Sequence, residues 1–299
     1  MIVDFVQNTL DGIFVGSSYS LLAIGFTLIF GVMRRLNLSY GPSIMLGIFA
    51  GTLLHVEFEA GLLAVAAATL VGAVLAGIYV ERVCFWAIRR GAALASMVST
   101  FAIWMQLEEI VTVVFPDRTY PFPPLADFSL EFGEFFVRGD HLVMFASAAA
   151  ITVLLHLFLY RTRFGLALRA VSRNPTAAAF VGINTGLVLF AAFALASAIG
   201  GVAGFLIAAG DQQITPFFGL WATFKGLIAM TLGGMGSIPG AIAGGLLLGI
   251  IEAHCGWYLG TEYRDLSAYA VLFAFLVFRP GGLFAQRQTL RTQLAARRV

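Results

Sequence analysis

Apolar residues fill this chain in runs too long and too closely spaced for a soluble core. Such runs lie at about 9–31, 38–55, 61–81, 94–115, 139–160, 186–209, 219–235, 239–256 and 266–280. A run of about 18 or more apolar residues reads as a transmembrane helix. The fold class is therefore all-α: a polytopic transmembrane helical bundle of about eight or nine spans, including short or discontinuous helices. Composition agrees, since 60% of the 299 residues are hydrophobic and 11% charged, against roughly 25% charged in a soluble domain. The whole of 1–299 reads as one transmembrane domain. The start, "MIVDFVQNTLDG", has Asp4 and Asp11 and no basic residue, so it lacks the positive region of a cleavable signal peptide.

Charge sets the orientation. Arginines cluster at Arg34/Arg35, at Arg82/Arg89/Arg90, at Arg161/Arg163/Arg169/Arg173, and at Arg279 with the tail of about 281–299. Acids fill the alternate connections: Glu57/Glu59, then Asp117 to Asp140, then Asp211, then Glu262/Asp265. Basic connections stay in the cytoplasm. The expected N-terminus is outside and the expected C-terminus cytoplasmic. Cys84 and Cys255 then fall on opposite faces, which argues against a disulfide, and no metal-ligand spacing exists.

Two pairs of runs stand apart. "RRLNLSYGP" joins 9–31 to 38–55, and "GGMGSIPG" joins 219–235 to 239–256. Short Gly-rich arms around a polar or Gly/Pro break suit discontinuous helices beside a transport path. They equally suit two ordinary spans with a tight turn. The two pairs also read as matching parts of an internal repeat. Gly12/Gly16, Gly200/Gly204, Gly240/Gly244 and Gly245/Gly249 suit close packing within a bundle or at a dimer seam.

"RAVSRNPTAAAFVGINTG", residues 169–186, is too polar to span. Asn174 is a good N-cap, Pro175 fits the first helical position, and Gly182 fits just past the C-terminus. A two-turn helix over Pro175–Val181 follows, with Asn184 or Thr185 capping the next span. Its expected exposed surface includes Ala177, Ala178, Phe180 and Val181, which a partner protein would cover. A helix lying on lipid headgroups is the other reading.

At these residues the chain resembles the permease subunits of branched-chain amino acid ABC importers. "TAAAFVG" is similar to the importer pattern glutamate-Ala-Ala-three residues-Gly; Ala177, Ala178 and Gly182 match, and Thr176 stands at the glutamate position. "GSSYSLLAIGFTLIFGVMRRLNLSYG" at 16–41 resembles the family's N-terminal signature, with Asn37 and Gly41 matching and Leu38, Ser39 and Tyr40 departing. "FKGLIAMTLGGMGSIPGAIAGGLLLGIIEA" at 224–253 and "VFRPGGLF" at 277–284 resemble its later segments.

The resemblance implies a bacterial inner-membrane subunit working by alternating access. Its partners would be a second homologous permease, two cytoplasmic ATPases, an extracytoplasmic binding protein and membrane lipid, with no nucleic acid. The segment at about 164–184, with Arg169, Arg173, Asn174, Pro175, Ala177, Ala178, Phe180, Gly182 and Asn184, would be the ATPase-coupling region. The substrate would be a branched-chain amino acid, with urea, amides, other amino acids and small organic acids left open. The chain itself would bind no cofactor and no metal and would not be an enzyme; ATP-Mg would sit on the partner ATPase. Lys225 is the only lysine and lies outside any Gly-Lys-Ser/Thr motif, so no P-loop exists here. A self-sufficient secondary transporter or channel for a small polar solute is the alternative.

Polar groups inside spans are costly and mark candidate function. Asn37, Ser39, Gln106, Glu108, Glu109, Lys225, Ser237 and Glu252 are the translocation-path candidates. Lys225 lies twelve residues before Ser237 and Glu252 fifteen after. If their spans are antiparallel, the two charges meet near one depth, as a structural ion pair or as the outer mouth of a path.

Overall fold

The computed structural model describes residues 2–86, 93–126, 128–132, 135–279 and 281–284. Arg89, Arg90 and the tail beyond 284 lie outside the described residues. Eleven α-helices occur among the described residues: α1 (Ile2–Met33), α2 (Tyr40–Phe58), α3 (Leu62–Val80), α4 (Ala93–Val114), α5 (Gly139–Arg161), α6 (Arg163–Arg173), α7 (Pro175–Phe180), α8 (Thr185–Asp211), α9 (Phe218–Gly233), α10 (Ile238–Tyr258) and α11 (Arg264–Phe278). α3 continues into a π-helical stretch, Glu81–Trp86. Seven helices are long and apolar enough to cross a bilayer, and α9 is a shorter apolar helix. With the 15-residue α11, the nine expected apolar runs are all helical.

We call the side where α1 begins the N face and the opposite side the far face. The N face carries the only strands among the described residues, none of them expected from the sequence. β1 (Tyr120–Pro121) pairs with β4 (Gln213–Ile214), and β2 (Ser129–Phe132) forms a hairpin with β3 (Phe135–Arg138). The Gln7 amide donates to Phe136 O at 2.7 Å and accepts from Phe136 N at 3.2 Å, which ties α1 to this cap.

α1 is the central helix, buried almost continuously from Gly16 to Ile29. Its closest neighbour is α10. A Cβ on Gly12 would come within 2.6 Å of Ile250 Cα, and one on Gly16 within 2.8 Å of the Gly245 carbonyl. Side chains there would force the helices apart, so the glycines allow backbone-to-backbone packing. Ser20 adds a tie across the seam, donating to Ile242 O at 2.9 Å. Gly240 and Gly244 face Gly233 and Ala229 of α9, while Gly200 and Gly204 face Tyr40, Ile44 and Ile48 of α2. All four GxxxG pairs are thus used within the chain, and none is left for a dimer seam.

The two unusual pairs of runs differ in how they pack. α9 and α10 form a hairpin around Gly234–Ser237, with Gly234 at φ 109° and Gly236 at φ 85°. α1 and α2 share no extended packing. Tyr40, at the start of α2, packs beside Gly25 and Phe26 of α1 and donates to Ala196 O at 3.0 Å. α1 runs on for seven residues past Phe26 to Met33, about 10 Å at 1.5 Å per residue. Residues 34–39 therefore climb back into the bundle as non-helical chain, and α2 begins at membrane depth. Irregular backbone there must be buried in protein and hydrogen-bonded. It is: Leu38 N donates to Thr100 Oγ1 at 3.3 Å, Ser39 N to Asn37 Oδ1 at 3.1 Å and Gly41 N to Thr223 Oγ1 at 3.2 Å.

Candidate functional site

A cavity of about 520 Å³ opens among the N-face ends of α1, α5, α8, α10 and α11 and the upper part of α9. It falls in the size range of small-molecule pockets, roughly 300–1,000 Å³. Lys225 lies at its floor. Its Nζ reaches Glu252 Oε1 at 2.5 Å and Asp265 Oδ1 at 2.7 Å. It also sits over the rings of Trp221 and Tyr19, 5.6 and 5.7 Å from their centroids. Tyr19 donates its hydroxyl to Glu252 Oε2 at 3.0 Å. Lys225 and Glu252 are buried, while the Asp265 side chain is 57% exposed. The charges at similar depth on α9 and α10 do meet, and a third from α11 joins them. One ammonium between two carboxylates leaves the cluster one negative charge in surplus.

The other charges at the rim are a mixed set. Arg138 pairs with the buried Asp140 at 2.7 Å. Asp11 accepts from the Gln7 amide at 3.1 Å and lies 3.6 Å from His141 Nδ1. Asp211, at the end of α8, and Arg264, at the start of α11, line the same cavity. Neither side chain has an ion pair or hydrogen bond among the described residues. Val15, Met144, Ile207, Trp221 and Ala253 supply apolar wall.

The far face carries the second feature. α6 ends at Arg173, and Asn174 caps α7 by accepting from Ala177 N at 3.0 Å, with Pro175 in the first position. α7 closes at Phe180, one residue before the expected end. Val181 falls in the turn, and Gly182 takes the left-handed φ of 85°. Gly182 N donates to Ala179 O and Ile183 N to Ala178 O. Asn184 then caps α8, accepting from Leu187 N at 3.1 Å. Phe180 and Val181 are 86% and 77% exposed. Ala177 is exposed as expected. Ala178 is not: it is buried, because its side of the two-turn helix packs back onto the neighbouring helices. Arg173 is exposed. Arg169 turns back toward α5, with its guanidinium over the Tyr160 ring at 4.6 Å. α7 is thus a capped, rigid knob with an apolar tip.

Comparison with known proteins decides the family. The sequence profile of the branched-chain amino acid transport system permease component matches residues 8–276. This chain belongs to that family. The permease is 31% identical to the high-affinity branched-chain amino acid transport system permease protein LivH of Escherichia coli, over 94% of this chain and 96% of that one. It is likewise 31% identical to BraD of Pseudomonas aeruginosa, over 95% and 97%. Among solved structures it is similar to PsaBC from Streptococcus pneumoniae, with TM-score 0.51 and 14% identity over 95% of this chain and 98% of that one. It is also similar to an inward-facing transporter assigned to the metal-chelate ABC type, with TM-score 0.54 and 15% identity over 92% and 85%. Those two likenesses show a shared fold.

The remaining candidate residues of the permease are scattered. Asn37 and Ser39 are buried in the non-helical segment, where Ser39 Oγ also donates to Thr100 O. Ser237 caps α10, accepting from Gly240 N at 3.2 Å. Gln106 is exposed on α4 and accepts from Tyr79 at 2.9 Å. Glu108 accepts from Trp104 Nε1 at 2.5 Å, and Glu109 is exposed. None of these six lines the cavity; Lys225 and Glu252 do. Tyr19, Asp211, Arg264 and Asp265 are cavity residues that were not singled out as site residues from the sequence.

Proposed function

We propose that this permease is the membrane-spanning subunit of an ATP-driven importer of branched-chain amino acids, with its N face outside the cell and its far face in the cytoplasm. The observation that carries this reading is near full-length similarity to permeases named for that transport. The alternation of basic and acidic connections supports the orientation. Arg34, Arg35, Arg82, Arg161, Arg163, Arg169 and Arg173 all fall at the far face. The α7 knob then points into the cytoplasm, with Phe180 and Val181 as the tip that an ATPase groove would cover. A second, related permease and a binding protein outside would complete the machine.

The mechanism is alternating access. ATP-Mg on the partner ATPases supplies the work, and this chain converts it into helix movement. α7 is joined to α6 and α8 by residues that cap helices, so displacement of the knob passes into α8 without being absorbed by slack chain. α8 in turn packs along α1, α2 and α3. Charge clusters such as Lys225, Glu252 and Asp265 join α9, α10 and α11 at the outer end.

The test is reconstitution. The permease is purified with its co-expressed ATPases and second permease, placed in liposomes, and given binding protein and labelled L-leucine. ATP-dependent leucine uptake that stops when ATPase is omitted is the expected result. Uptake by this chain alone, driven by an ion gradient and indifferent to ATP, would overturn the reading in favour of a secondary transporter.

A further inference from the structure

The outer cavity has a charge pattern that calls for a particular ligand. Lys225 is satisfied by two carboxylates, Arg138 by Asp140, and Asp11 by Gln7 and His141. Two opposite charges, Asp211 on α8 and Arg264 on α11, make no hydrogen bond or close ion pair among the described residues, although Asp211 lies within electrostatic reach of Arg138, Arg264 and His141; both residues are exposed. The Arg264 side chain lies over Gly256 of α10, where a Cβ would collide with its Nε.

We propose that this cavity is an amino-acid site belonging to the permease itself, in which Arg264 takes the carboxylate and Asp211 the ammonium of one zwitterion. Val15, Met144, Ile207 and Trp221 form the wall for its apolar side chain. A simple anion would gain Arg264 but face Asp211 and the surplus charge of the Lys225 cluster. A simple cation would gain Asp211 but face Arg264. Only a dipolar ligand gives each of these two exposed groups an opposite charge at close range. The cavity is built by one chain and stands at the N face, so it needs neither the second permease nor the ATPases to form. The choice of a branched apolar amino acid as ligand rests on the importer reading; the charge pattern does not.

The test uses the purified complex in lipid nanodiscs, without binding protein or ATP. Equilibrium dialysis measures binding of L-leucine, of 4-methylpentanoate, which lacks the ammonium, and of 3-methylbutylamine, which lacks the carboxylate. Leucine should bind saturably, and each analogue at least tenfold more weakly. Arg264→Gln should weaken leucine at least tenfold and leave it no better than the amine. Asp211→Asn should leave it no better than the acid. Gly256→Val should reproduce Arg264→Gln by displacing the guanidinium. Absent leucine binding, binding unchanged by both charge variants, or an analogue that binds as well as leucine would overturn the site. Uptake with ATP and binding protein is scored separately. Normal leucine uptake without pocket binding would refute the pocket and keep the importer. Pocket binding without leucine uptake would do the reverse.

Discussion

Substituting Lys225 tests whether the outer charge cluster is a buried network or three separate surface charges. Lys225→Met removes the cation and leaves Glu252 buried with the Tyr19 hydroxyl but no counter-charge, and with Asp265 nearby. Breaking a buried pair by removing one partner costs about 3–5 kcal/mol. Glu252→Gln is milder. Lys225 keeps Asp265 at 2.7 Å, and the Tyr19 hydroxyl can still donate to the amide oxygen. Loss of one charge-assisted bond then costs about 1–3 kcal/mol. Asp265→Asn should cost about 1 kcal/mol or less, because that carboxylate is more than half exposed and screened by water. The double variant Lys225→Met/Glu252→Gln removes both buried charges. Its loss should fall short of the sum of the single losses by about 1–3 kcal/mol. The assay is reversible unfolding in mixed micelles with rising SDS fraction, followed by tryptophan fluorescence. Additive losses in the double-mutant cycle, or an Asp265→Asn loss equal to that of Lys225→Met, would refute the network.

Three further outcomes are expected. Phe180→Asp should leave unfolding stability within about 0.5 kcal/mol, as for exposed sites, yet strip ATPase from the complex during purification; Gly182→Val should also strip ATPase, but with a stability loss of about 1–2 kcal/mol from strain at φ 85°. Gly249→Leu should abolish the stable fold in detergent, measured by size-exclusion monodispersity, because any side chain there meets the backbone of Gly12 and Gly16. Thr176→Cys should label only from the cytoplasm and Glu59→Cys only from outside, against a quiet background since Cys84 and Cys255 are buried; reversed labelling would invert the orientation.

The spans were legible because each needs only local information, a run of apolar residues. Their ends were less so: α1 begins at Ile2 rather than near residue 9, with the polar Gln7 tied to the N-face cap through Phe136. The α7 caps were readable for the same local reason, since Asn174, Pro175, Gly182 and Asn184 each act within three residues. Ala178 was misplaced because burial on so short a helix depends on the neighbours, not on period. The strands at 120–121 and 213–214 pair across distant chain and left no local signature, while the local hairpin of 129–132 with 135–138 lay in a stretch read only for its acids. Lys225 and Glu252 could be matched by counting from the turn at Ser237. Asp265 could not, since α11 reaches them only through tertiary packing. Asp211 was read for topology, as one more acid on an outer connection. Arg264 and Arg138 are basic residues on acidic connections, and that mismatch was the available signal.

The segment before α2 also has a consequence in time. Its Leu38 amide waits for Thr100, and the Gly41 amide in the first turn of α2 waits for Thr223, residues synthesised some sixty and some hundred and eighty positions later. Until α9 emerges, the start of α2 has a backbone donor with no acceptor at a depth where water is scarce. The nascent chain therefore cannot settle its first two helices as it makes them. They must be held by lipid, by the insertion machinery, or in a longer provisional helix, and re-set when α9 arrives. A nascent chain arrested before residue 218 should show the Gly41 amide exchanging freely with solvent deuterium, and one carried past α10 should show it protected.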